Sequence, residues 1–118
     1  MDKIYEQTML FDFYGELLTE HQRSVYRDAV YHDLSLGEIA QERGISRQGV
    51  HDLIRRCDRI LQDYESKLHL VERFARARRT VEEIERLTFS VDSGDGGKEL
   101  QAKLQTIRNL SRELLDEL

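Results

Sequence analysis

In the run SLGEIAQERGISRQGVHDLIRR, residues 35–56, two helix starts stand on either side of a glycine, and few folds can follow from that arrangement. Ser35 and Glu38 form a capping-box pair: at an open helix end the serine hydroxyl accepts the third residue's N–H, and the glutamate reaches back to the serine N–H. Leu36, Ile39 and Ala40 then share the inward face of a short helix. Gly44 ends it, because glycine enters the left-handed region without steric cost, and Ile45 is expected to pack beneath the turn. Ser46 is a good cap for the next helix. From Arg47 onward Val50, Leu53, Ile54, Cys57, Ile60 and Leu61 recur at spacings of three and four. That spacing puts them on one side of a long helix and leaves Gln48, His51, Asp52, Arg55 and Arg59 on the other. Two helices joined by a tight glycine turn form a helix-turn-helix unit, whose second helix lies in the major groove while the first braces it.

Arginine can bond bidentately to guanine and glutamine to adenine, so the outward face carries the right donors and acceptors for base edges. Two residues sit awkwardly on it. Gly49 lies inside the helix, at a cost of up to about 1 kcal/mol relative to alanine, and reads as tolerated. Asp52 would repel phosphate, and pairing with Arg56 one turn later is its expected compensation.

Elsewhere the pattern is helical throughout. Residues 2–18 hold Ile4, Tyr5, Leu10, Phe11, Phe13, Tyr14, Leu17 and Leu18 at nearly helical spacing, which predicts a core helix. Thr19 and Gln22 make a second capping box, followed by a stripe of Val25, Tyr26, Ala29 and Val30. Leu68, Val71, Phe74, Val81, Ile84 and Leu87 predict a further helix, and SVDSGDGG at 90–97 reads as a linker. Leu100, Leu104, Ile107, Ser111, Leu114 and Leu118 then form a seam that wants a partner helix, from this chain or from a second copy. The expected fold is all-α: a small helix-turn-helix domain over 1–66 with a helical extension over 67–118 that packs on itself or forms a homodimer.

A chain of 118 residues with 35% charged side chains buries one modest core and has little apolar material left for a large catalytic cleft. No P-loop type glycine motif occurs, and no nucleophile is set beside its base, so no enzyme is expected. Cys57 is the only cysteine, and His21, His32, His51 and His69 lack a compact ligand spacing, so neither metal nor cofactor is expected. A reducing cytoplasm fits the cysteine content, and no apolar run approaches a membrane span. The net charge of −5 argues against nucleic acid until its distribution is considered, for residues 35–62 hold five arginines against four carboxylates. The arginines of RFARARR, 73–79, are flanked by Glu72, Glu82 and Glu83 and read as a solvated, self-compensated face.

The stretch LLTEHQRSVYRDAVYHDLSLGEIAQERGISRQGVHDLIRR, residues 17–56, resembles the promoter-reading region-4 module of bacterial sigma factors. The blocks LFDFYGELLTEHQ, DLSLGEIA, GISRQGV and DYESKLHL, between Leu10 and Leu70, resemble the YlxM family more closely. That resemblance implies a small all-helical cytosolic bacterial protein, a DNA-binding regulator linked to the signal recognition particle pathway of protein targeting. Carried over by position, Ser46, Arg47, Gln48 and His51 would lie at the reading end of the second helix, with Arg55, Arg56 and Arg59 suited to phosphate. The alternative is a protein-interaction module that keeps the helix-turn-helix shape and binds a signal recognition particle component or its GTPase receptor. The expected partners are therefore DNA, components of the particle, and a second copy of the chain.

Overall fold

A computed structural model of the chain describes residues 3–93 and 97–117. Among the described residues there are six α-helices, one 3-10 turn and no strand. The helices are α1 (Lys3–Tyr14), α2 (Glu20–Val30), α3 (Leu36–Arg43), α4 (Arg47–Leu68), α5 (Leu70–Ser93) and α6 (Lys98–Glu117), with the 3-10 turn at Gly15–Leu17. The all-α expectation holds. No helix among the described residues is long and apolar enough to cross a membrane. The chain divides into two compact units, Met1–Val71 and Glu72–Leu118.

Helix starts in the first unit are where the caps put them. The Gln22 N–H donates to Thr19 Oγ1 at 3.2 Å while the Thr19 N–H donates to Gln22 Oε1 at 3.0 Å. The Ser35 and Glu38 box closes the same way, at 3.1 Å in both directions. Each such cap contributes about 1 kcal/mol to its helix. Gly44 adopts φ 69°, ψ 30°, and the N–H groups of Gly44 and Ile45 both donate to the Ala40 carbonyl, so the turn closes as the sequence predicts. Ile45 differs from expectation: it is 36% exposed, because the chain leaving Gly44 runs directly into the Ser46 cap instead of folding under α3.

The core of this unit forms where α1, α2, α3 and α4 meet. Leu10, Phe11, Tyr14, Leu18, Tyr26, Cys57 and Leu61 make one buried cluster, and Val25, Ile39, Ala40 and Val50 make another. Leu53 and Ile54 of α4 pack against both, so one helix carries the whole core on its apolar side. Phe11 is the hub of the aromatic packing, with Tyr26 and Tyr31 ring centroids 5.5 and 5.6 Å away and the Arg27 guanidinium over its face. The helix predicted over 2–18 ends at Tyr14, and Ile4, Tyr5 and Leu17 stand exposed. The first turn of α1 meets polar groups of α4, since Gln7 bonds Asp58 and Gln62 bonds Glu6, and leaves no apolar seat for Ile4 or Tyr5.

Helix α1 runs parallel to α4. Gln7 Nε2 donates to Asp58 and Tyr14 Oη donates to Glu65 Oε1, each pair 51 residues apart in sequence, so a step of two turns on one helix matches two turns on the other. Tyr14 also ends the unit. His69, at φ 55°, stops α4, and the exposed first N–H groups of α5 are met by Tyr14 Oη, which accepts from Leu70 at 3.0 Å, and by Glu65 Oε1, which accepts from Val71 at 3.0 Å. Burial, reinforced by Glu65, pushes the Tyr14 hydroxyl pKa up and keeps it a proton donor to that carboxylate.

The second unit is an antiparallel helical hairpin. Arg73 Nη2 donates to the Glu117 carbonyl at 2.8 Å, and Lys103 Nζ donates to the Ser90 carbonyl at 3.1 Å, pinning the far and near ends. Ile84 and Leu87 of α5 and Leu100, Ile107, Leu110, Ser111 and Leu114 of α6 are all half-buried. Leu104 lies outside the seam, 44% exposed, and Leu118 lies outside the described residues. The linker predicted over 90–97 is shorter than expected, because α5 continues to Ser93; residues 94–96 lie outside the described residues, and Gly97 at φ 86° leads into α6. The RFARARR face is compensated in part: Arg78 pairs with Glu82 at 3.3 Å, and Arg73 is used at the hairpin end.

Candidate nucleic-acid interface

Helix α4 can present a fixed surface only if α3 is held against the rest of the unit, and a charged cluster does this at the turn. Arg43, in the last turn of α3, donates through Nη2 to Asp28 Oδ2 at 2.7 Å and to Ser24 Oγ at 2.6 Å, both on α2. His32 Nδ1 lies 3.0 Å from the other Asp28 oxygen, and the Leu34 N–H donates to the Asp28 carbonyl at 3.1 Å. Asp28 is the buried charged residue among those described. The Arg43 hydrogen bond outweighs the opposing effect of burial and holds its carboxyl below the ordinary 3.8.

With Val50 buried beneath it, α4 turns a polar arc outward. At 3.6 residues per turn Gln48, His51, Asp52, Arg55, Arg59 and Gln62 lie within an arc of about 100°. Arg47, Gln48, His51, Arg55, Arg56 and Arg59 are all exposed. Arg47, Arg55, Arg56 and Arg59 form no ion pair among the described residues, so their charge is uncompensated by contact.

Asp52 does not pair with Arg56 as the i, i+4 spacing predicts. It accepts from Gln48 Nε2 at 2.9 Å and lies 3.7 Å from His51 Nδ1. Arg56, exposed, lines a recess with Thr19, His21, Gln22, Gly49, Asp52 and Leu53 on the flank nearest the start of α2. The acid therefore restrains the Gln48 amide and leaves the Arg56 guanidinium without an ion pair among the described residues.

Ser46 is taken up structurally: its Oγ accepts the Gly49 N–H at 2.9 Å and caps α4. The same bond accounts for Gly49, where a Cβ would lie 3.0 Å from the Ser46 oxygen, tighter than ordinary contact. Cys57 sits on the buried side, its thiol pushed up to about 11 mainly by burial, and takes no part in the outward surface.

One contributor escaped the sequence reading. Lys3, at the first turn of α1, lines a groove with His51, Arg55, Asp58, Arg59 and Gln62 of α4. No local pattern signals it, since Lys3 reaches α4 only through the parallel register of the two helices.

The comparisons agree with this architecture. The family model described as "Putative helix-turn-helix protein, YlxM / p13 like", UPF0122, matches residues 1–96. A UPF0122 protein of Shouchella clausii is 46% identical over 90 residues, covering 76% of this chain and 83% of the relative. One from Halalkalibacterium halodurans is 40% identical over 110 residues, covering 93% and 98%. One from Desulforamulus reducens is 33% identical over 116 residues, covering 98% and 99%. No solved structure gives a significant match. With the capped α3, the Gly44 turn and the braced α4 on one side and this match on the other, the chain belongs to the UPF0122 family of YlxM / p13-like helix-turn-helix proteins.

Proposed function

We propose that this protein is a DNA-binding regulator in which α4 lies in the major groove with Arg47, Gln48 and His51 toward base edges and Arg55, Arg56 and Arg59 toward phosphates. The observation that carries the reading is the set of four exposed guanidinium groups on α4, Arg55 and Arg59 within the polar arc and Arg47 and Arg56 on its two flanks, unpaired among the described residues while the acid within the arc is engaged by Gln48. Uncompensated arginines on a rigid helix supply the counterion release that drives duplex affinity. The test is fluorescence anisotropy of the full chain against a duplex from the region upstream of its own gene, titrated across salt. Affinity that falls steeply with salt, and drops in Arg47→Ala and Arg55→Ala, supports the reading; unchanged affinity in both variants removes this face as the contact surface.

The homodimer belongs to the same proposal. Within the hairpin no described side chain is fully buried, and a unit of that size gains most of its stability from further association. Val81 on α5 and Leu104 and Leu115 on α6 are 48%, 44% and 67% exposed, and their helical positions put them on the same side of the hairpin. A second copy would cover that side by two-fold symmetry and present two reading helices to one duplex. Sedimentation equilibrium should give a dimer that Leu104→Glu converts to monomer, and a monomeric wild-type chain at high concentration overturns it.

The second reading, a docking module for a signal recognition particle component, draws on the same exposed apolar side chains and on the acidic total charge. Binding assays with the purified particle protein, its RNA and its receptor test it, and clean negatives with all three sink it.

A further inference from the structure

The Lys3 groove extends the cationic surface past the helix that reads. It is lined by three permanent cations, Lys3, Arg55 and Arg59, with His51, against one carboxylate, Asp58. That carboxylate is already saturated on its inner side: Asp58 accepts from the Tyr26 hydroxyl at 2.6 Å and from Gln7 Nε2 at 3.0 and 3.2 Å. The other nearby acid, Glu6, accepts from Gln62 Nε2 at 2.6 Å. Both acids thus serve as anchors between α1 and α4, and the bonds that hold them fix the position of Lys3 relative to Arg55 and Arg59. None of the three cations forms an ion pair among the described residues. A rigid, open groove carrying more cations than carboxylates, with guanidinium forks on one wall and an ammonium on the other, has the chemistry of a phosphodiester seat.

Its place on the molecule says which phosphate. The recess around Arg56 lies on the opposite flank of the polar arc, toward the start of α2, and Gln48 lies between the two flanks on the outward face. A helix inserted in the major groove meets a backbone strand along each edge, so the two cationic flanks correspond to the two walls of the groove.

We propose that Lys3, Arg55 and Arg59 together seat one backbone phosphodiester of the duplex, on the α1 side of the bases that α4 reads. This rests on the DNA-binding reading above and adds to it a contact from α1, outside the helix-turn-helix itself. Phosphate contacts of this kind set the register and orientation of the reading helix and carry no base preference of their own.

The experiment uses the full chain, the same duplex, and anisotropy over a salt series. Three variants are compared with wild type: Lys3→Ala, Lys3→Arg, and Lys67→Ala as a control. Lys67 carries the same charge at the other end of α4, where it is exposed and pairs with Asp63. Expected are a weaker affinity and a log–log salt slope shallower by about 0.9 in Lys3→Ala, the change for one lost phosphate contact. Lys3→Arg and Lys67→Ala should keep the wild-type slope, and the loss in Lys3→Ala should be equal for an unrelated duplex of the same length. Equal losses in Lys3→Ala and Lys67→Ala would reduce the effect to net charge and overturn the seat. A wild-type slope in Lys3→Ala, while Arg47→Ala still weakens binding, would overturn the seat and leave the reading helix standing. No duplex binding by the folded wild-type chain would overturn both.

Discussion

Replacing Asp28 by asparagine tests the brace that holds α3 against α2. The side chain keeps its shape and can still accept a hydrogen bond, so what is lost is the charge that Arg43 meets at 2.7 Å and that His32 approaches at 3.0 Å. A hydrogen bond to a charged group contributes about 1.5–3 kcal/mol, and breaking a fully buried ion pair costs about 3–5 kcal/mol. The Arg43 side chain is 24% exposed and Asp28 13%, so water recovers part of the lost interaction and the expected cost falls to the lower end, about 2 kcal/mol. All five tyrosines, at positions 5, 14, 26, 31 and 64, lie in the first unit, and the chain has no tryptophan. Urea unfolding followed by tyrosine fluorescence therefore reports this unit alone. The pH dependence supplies a second check. The Asp28 carboxyl is held below its ordinary 3.8 in the folded state, so its contribution is present above that value and is lost as pH falls through the lower folded value. The gap between wild type and Asp28→Asn should persist above the ordinary 3.8 and narrow as the pH falls below it. Arg43→Ala and Asp28→Asn should also be strongly non-additive, since each removes the same bond. A difference under about 0.5 kcal/mol at neutral pH, or one that survives acidification unchanged, would refute the assignment of this cluster as the brace.

Three further expectations follow from the packing. Tyr26→Phe deletes the donor to Asp58 from a fully buried site and should cost about 1.5 kcal/mol by the same assay; with burial and Asp58 both raising its pKa, Tyr26 should not ionise in a spectrophotometric titration before the unit unfolds. Gly15→Ala would place a Cβ 2.9 Å from two carbons of the Phe11 ring, which Tyr26, Tyr31 and Arg27 hold in place, and should destabilise the unit by about 1–3 kcal/mol in urea. Cys57, buried and with its thiol raised to about 11, should be inert to an aromatic disulfide reagent in the native protein and should react at once in denaturant; fast native reaction would contradict its burial.

Helix starts, the helix stop at Gly44 and the sidedness of α4 follow from relations within one turn of helix and were legible in the sequence. The capping boxes at Thr19 and Ser35, the left-handed Gly44 and the division of α4 into an apolar and a polar side are i to i+3 and i to i+4 relations. Their energetics are set within one turn of helix, and so they could be read directly. Tertiary structure decided which of the available partners each polar group takes. Asp52 had both Gln48 and Arg56 within helical reach, and the spacing alone left open the choice that the structure makes for Gln48. The brace between Arg43 and Asp28 spans 15 residues, and the stop at His69 depends on Tyr14, 56 residues before the N–H it accepts from. Lys3 reaches the polar arc only because buried side chains of α1 and α4 lock the two helices in a parallel register 51 residues apart. A register between distant helices is fixed by how their apolar surfaces interlock, and no local propensity encodes it. The helix-turn-helix and the two sides of α4 were therefore legible from the sequence, while the shape of the cationic surface around α4 was decided by the fold.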